Sequence, residues 1–184
     1  MSHAKKNTKS CIIRTDVDIN EFLLAVVRRT ISVLDQVTKI SVIQMDFEFL
    51  ERDNTSLTGL TSIICIEDCR KLVVGFNYDN SLIKEIFRRY TKSMDIKEEE
   101  TELYIKETAS DLINIIVGNV LSEFGKRDIA VKISIPLIIQ ETELLNNFSE
   151  INDRIVKIET EFGQMRVFCI FSGNTFINKI LDFK

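Results

Sequence analysis

Four residues in the segment ETASDLINIIVGN could act together: Glu107, Asp111, Asn114 and Gly118. They are spaced by four, three and four residues, which at about 100° of turn per residue gathers them into a helical sector roughly 60° wide. The other side of the same helix collects Ile105, Ala109, Leu112, Ile113, Ile116 and Val120, so the sequence predicts that side in a core and the polar line outward. The line contains no histidine, no lysine and no nucleophile. Carboxylates and an amide without a histidine or lysine beside them fall short of a complete active site, and suggest a helix that completes the site of another molecule. Gly118 adds a second oddity, because glycine inside a helix costs about 1 kcal/mol relative to alanine. Its place is explained either by close packing against another element or by the approach of a partner's backbone.

The elements that position this helix belong to a folded globular chain. It has 184 residues, 45% hydrophobic and 28% charged, with one proline and six glycines, enough for one domain with its own core. A net charge of −4 lacks the clustered basic footprint that phosphate backbones require, so nucleic acid is not an expected partner. Lys5, Lys6 and Lys9 are a local excess in a segment, residues 1–15, that reads as a flexible tail before a domain over 16–184. The longest apolar run, Phe22 to Val27, is far shorter than the ~18 residues that would cross a bilayer, and no secretion signal opens the chain. These features predict a cytoplasmic protein without a membrane partner. Cys11, Cys65, Cys69 and Cys169 read as small apolar residues of strands, and His3 alone cannot build a zinc site.

Along the chain, Asp18 and Glu21 predict the opening of a helix that runs to about Val37. Ile43, Met45, Phe47 and Phe49 alternate with polar residues, predicting a strand with one face in the core. Strands over Thr58 to Ile66 and Lys71 to Phe76 follow, then a short helix from Asn80 to about Ser93 with Leu82, Ile83, Ile86 and Phe87 inward. The second half repeats this order. A long helix from about Glu99 to Phe124 ends at Gly125; Ile129 to Ile135, Arg154 to Glu161 and Met165 to Phe171 read as strands, with a turn at Gly163; a last short helix starts at Asn174. At an offset of about 94 residues, Asn80-Ser81-Leu82-Ile83 resembles Asn174-Thr175-Phe176-Ile177, and Ile64, Glu67 and Val73 fall opposite Ile158, Glu161 and Val167. An internal duplication of a helix, three strands, helix unit predicts one antiparallel sheet and one core, hence a single α+β domain.

In this order of elements, the chain resembles the CheX branch of the CheC/CheX chemotaxis phosphatases over nearly its whole length. The family's N-P-F-x-x-A opening is similar to Asn20-Glu21-Phe22-Leu23-Leu24-Ala25, with Glu21 in place of the proline. The central strands resemble Thr58-Gly59-Leu60-Thr61-Ser62-Ile63-Ile64 and Leu72-Val73-Val74-Gly75-Phe76. In the long helix, Glu107 stands at the family's Asp/Ser position, Asp111 at its glutamate, Asn114 at its asparagine, and Gly118 and Asn119 at its Gly-Asn pair; Pro136 matches the downstream proline. Asp111 is one methylene shorter than the expected glutamate, roughly 1.5 Å of reach.

The resemblance implies a phosphatase, a hydrolase acting on the aspartyl phosphate of a CheY-like receiver. It implies that Asn114 orients the attacking water, that Asp111 pairs with the receiver's lysine, and that Glu107 and Gly118 lie in the contact. It also implies no cofactor of the chain's own, magnesium on the partner receiver, a homodimer, and one site per protomer, because the first helix lacks a Glu-x-x-Asn element. The alternative is a non-catalytic module of the same fold that docks a receiver or another signalling protein.

Overall fold

The structure, a computed structural model, describes residues 16–49, 59–67, 71–124, 131–140 and 154–171. Helix α1 (Asp16–Val33) passes into a π-helical turn (Leu34–Thr38) and is followed by strands β1 (Val42–Phe49), β2 (Leu60–Glu67) and β3 (Lys71–Tyr78) and by helix α2 (Asn80–Tyr90). A 3-10 turn (Glu98–Glu100) leads into α3 (Thr101–Phe124), and then come β4 (Lys132–Ile133), β5 (Leu137–Gln140), β6 (Arg154–Thr160) and β7 (Gly163–Phe171). The predicted tail over 1–15, the cap at Gly125 and the helix from Asn174 lie outside the described residues.

The strands form one antiparallel sheet in the order β1-β6-β7-β3-β2, with β4 and β5 both on the far side of β2. Each half of the chain lends its leading strand segments to the other half, β1 to β6, and β4 and β5 to β2. The central pairing has the register that a duplication demands. Leu72 pairs with Phe171 and Asn77 with Arg166; a shift of 94 carries 72 to 166 and 77 to 171, so the one pair maps onto the other. The chain is therefore a single α+β unit built as two interlocked halves.

Alternate residues of the central strands (Leu60, Ile64, Ile66, Val74, Phe76, Tyr78, Val156, Ile158, Val167) meet Phe22, Leu23, Val26, Leu82, Ile83, Ile86, Leu112, Ile113 and Ile116 of the helices in one buried cluster. The other face of these strands is buried too, at Ile63, Val73, Ile155, Phe168 and Ile170, so these segments read as apolar runs rather than clean alternations. At its centre a Cβ on Gly75 would collide with the Phe168 ring across the β3–β7 pair.

Several sequence expectations are corrected. Helix α1 already includes Asp16, two residues before the expected opening at Asp18, and it passes into a π-helical turn before Lys39, which takes a left-handed conformation at φ 55°. The apolar side of β1 is not core: Ile43, Met45 and Phe47 are 69%, 49% and 62% exposed. Met45 and Phe47 stand opposite Ile158 and Val156, on the helix-covered face, but β1 is an edge strand against which no helix packs extensively. Of the strand predicted over Ile129 to Ile135, residues 129–130 lie outside the described residues and only Lys132–Ile133 is strand; a second short strand, Leu137–Gln140, begins after Ser134–Pro136. The break is bridged by Ser134, whose backbone N–H donates to the Cys65 carbonyl at 2.8 Å and whose Oγ accepts the Cys65 N–H at 2.9 Å. Pro136 has no N–H to lend to a ladder at this point. Cys65 and Cys169 are buried strand residues, as expected; Cys11 and Cys69 lie outside the described residues.

Candidate functional site

Helix α3 starts where the sequence is most acidic. Glu98, Glu99, Glu100 and Glu102 crowd its amino end, where carboxylates interact favourably with the unpaired N–H groups and the helix dipole. Glu102 also meets Lys106 one turn on, at 3.0 Å, and accepts from the Gln140 side chain of β5 at 3.3 Å; these contacts, the Lys106 hydrogen bond first, hold its carboxyl below the usual range. The inner face buries Thr108, Ala109, Leu112, Ile113, Ile116, Val117, Val120 and Leu121. The polar member, Thr108, is satisfied by donating to the Tyr104 carbonyl at 2.8 Å. This face packs on α1, α2, β2 and β5, and the ring of Phe124 meets Phe22 of α1 edge to face, centroids 5.6 Å apart.

With the inner face committed, the four singled-out residues stand on the outer one. Glu107, Asp111 and Asn114 are exposed and Gly118 is half-exposed. Asp111 and Asn114 are three residues apart, about 4.5 Å along the axis, so an amide and a carboxylate project side by side. Among the described residues neither Glu107 nor Asp111 forms an ion pair. A Cβ built on Gly118 meets nothing within 4 Å. Close packing inside the chain is thus not what places glycine here.

The fold brings one further group to this line. Tyr90, the last residue of α2, is half-buried beside α3, and its hydroxyl is pushed above the ordinary tyrosine range by burial and then by the negative charge of Asp111. Its position is held by its neighbour. Arg89 donates to the carbonyls of Thr38 and Lys39 at 3.0 and 2.9 Å, binds Glu85 at 2.6 Å, and lies over the Phe162 ring at 4.7 Å. One guanidinium thus ties the end of α2 to the π-helical turn and to the β6–β7 turn. Sequence reasoning missed Tyr90 because only the packing of α2 on α3 makes it a neighbour of Asp111. Leu103 and Ile115, also exposed on α3, were legible in the helical periodicity as apolar residues outside the core face.

Chemically, this surface offers an amide that can orient a ligand, two carboxylates that can meet a cation, and open backbone at Gly118; these four residues carry no imidazole, ammonium, thiol or hydroxyl of their own. Among the described residues no group of three or more His, Cys, Asp and Glu could hold a metal, and no helix is long and apolar enough to cross a membrane.

Comparison with known proteins gives this arrangement a lineage. No curated protein matches the chain. Solved structures do match: a CheC-like superfamily protein from Shewanella sp. PV-4 (TM-score 0.64, 16% identity, 83% of this chain and 98% of that one) and the chemotaxis protein CheX of Desulfovibrio desulfuricans (0.65, 13%, 83% and 99%). A third is a CheX–CheY–BeF3–Mg complex from Borrelia burgdorferi (0.66, 15%, 82% and 97%). At such identities these likenesses establish the fold alone. The family model described as chemotaxis phosphatase CheX matches residues 60–157, more than half of the chain and the whole of α3. With that match, the interlocked sheet and the outward polar line on α3, the chain belongs to the CheX family of chemotaxis phosphatases.

Proposed function

We propose that this protein hydrolyses the aspartyl phosphate of a CheY-like receiver domain. The observation that carries the reading is the outward pair Asp111 and Asn114 on α3, in a chain whose family model is that of a phosphatase; the likeness to a protein crystallised as a CheX–CheY complex supports the choice of partner. The receiver supplies the phosphorylated aspartate, its magnesium and its lysine. This chain supplies a rigid helix and no cofactor of its own. Asn114 enters the receiver's pocket and its amide orients a water in line with the phosphorus; water adds to phosphorus as the bond to the receiver's carboxylate oxygen breaks, releasing phosphate. Asp111 pairs with the receiver's lysine and sets the register of the helix, with Glu107 and Gly118 in the contact. Catalysis by positioning needs no base on this side.

The reaction places the protein where receivers work, in the cytoplasm. A homodimer completes the proposal, and the bare apolar edge of β1 (Ile43, Met45, Phe47) is a surface suited to a second copy. A second reading is favoured by one observation, the short Asp111: a module that docks a receiver, or another signalling protein, without accelerating hydrolysis. Decay of phosphorylated receivers from the same organism, followed with and without this protein, decides between them. The phosphatase accelerates decay, and Asn114→Ala abolishes the acceleration while leaving the fold intact, since an exposed position changes to a strong helix former. Unchanged turnover in Asn114→Ala refutes the assignment.

A further inference from the structure

The outer face of α3 carries an apolar group that neither the amide nor the carboxylates explain. Ile115 is 43% exposed, although it follows Asn114 directly and sits one turn beyond Asp111, about 40° around the helix from it. An exposed isoleucine on its own needs no explanation. This one borders three features of a contact surface. On one side are exposed carboxylates without an ion-pair partner among the described residues, open to a cation from outside. On another is Gly118, about 60° away, with open space where a Cβ would stand. Farther down, Leu103 is exposed one turn before Glu107, so apolar side chains stand toward both ends of the polar line.

We propose that Ile115 is an affinity-determining contact for the receiver, seated on apolar surface beside the phosphorylation pocket while Asn114 enters it. The proposal rests on the reading above for the identity of the partner. The occupant must bring a cation to Glu107 and Asp111 and a surface close enough to use the gap over Gly118, and a receiver's pocket, with its lysine, brings both. An apolar anchor surrounded by polar groups is the usual anatomy of a strong contact. Ile115 touches neither the attacking water nor the phosphoryl group, so it grips the receiver equally before and during hydrolysis. It therefore governs KM and leaves kcat alone.

The test uses the full chain and each CheY-like receiver of the same organism loaded with magnesium and beryllofluoride. Ile115→Ala removes three carbons from a side chain nearly half of whose surface is free to be covered, which weakens binding about fivefold. Ile115→Asp sets a third carboxylate in the apolar contact and weakens it further. Thermal unfolding of both variants confirms that the fold persists. The expected result is a raised Kd and KM with unchanged kcat for Ile115→Ala, against an unchanged Kd and lost turnover for Asn114→Ala. An unaltered Kd in both Ile115 variants overturns the proposal and leaves the phosphatase reading standing. A wild-type protein that binds without accelerating decay removes the phosphatase reading, while the Kd comparison still decides Ile115. A wild-type protein that binds no receiver overturns both.

Discussion

Replacing Gly118 by alanine should make the protein more stable and a poorer partner at the same time. In a helix interior the exchange is worth about 0.8–1.0 kcal/mol in favour of alanine, because glycine loses more backbone freedom on folding. That gain is realised only where the new methyl finds room, and here a Cβ meets nothing within 4 Å. For a chain of 184 residues, about 1 kcal/mol corresponds to a rise in Tm of roughly 2–4 °C. The same methyl occupies the space that a receiver's backbone would use, so affinity for a magnesium- and beryllofluoride-loaded receiver should fall, and Gly118→Leu should lower it more. Thermal and urea unfolding measure the first effect, and titration against the loaded receiver measures the second. A drop in Tm would show that the methyl collides with this chain, contrary to the open space. A rise in Tm with unchanged affinity in both variants would show that no partner approaches at Gly118.

Asp111→Glu restores the missing methylene and should tighten receiver binding or raise turnover; if Glu107→Ala is the more damaging change instead, Glu107 supplies the reach, and indifference to both removes the two carboxylates from the contact. Light scattering at micromolar concentration should report about twice the 21.2 kDa chain mass, and a strictly monomeric species over that range refutes the dimer. Glu85 is held down to about 2 from an ordinary 4.5, by its hydrogen bond to Arg88 first and to Arg89 as well. Its ionised form is therefore favoured by folding, so the stability it contributes is complete above about pH 4.5 and is lost as the pH falls toward 2. Glu85→Gln should flatten the acid limb of the stability curve in that window, and an unchanged limb contradicts the pairing.

The chain's own residues determined more of the site than of its surroundings. Glu107, Asp111, Asn114 and Gly118 share a face because helical rotation is a local property, fixed once Ala109, Leu112, Ile113 and Ile116 mark the buried side. The repeated order of helix and strands was legible for the same reason, and the 94-residue offset predicted one shared antiparallel sheet, whose β3–β7 register fits that offset. What a face meets is not local. Ile43, Met45 and Phe47 alternate as a core strand does, yet the sheet order leaves β1 at an edge with that face bare. Ile129 to Ile135 alternates too, but among its described residues only Lys132–Ile133 pairs as strand, and Ser134 bonds to Cys65 where the ladder breaks. Tyr90 comes within the field of Asp111 because α2 packs on α3, and Arg89 fastens the end of α2 to carbonyls fifty residues earlier in the chain. Whether Gly118 answers to packing or to open space depended on what stands across from it. Periodicity encodes which side chains lie together on an element; the burial of those elements against one another, contributed by residues far apart in sequence, decides which of the shared faces become core and which stay free to bind.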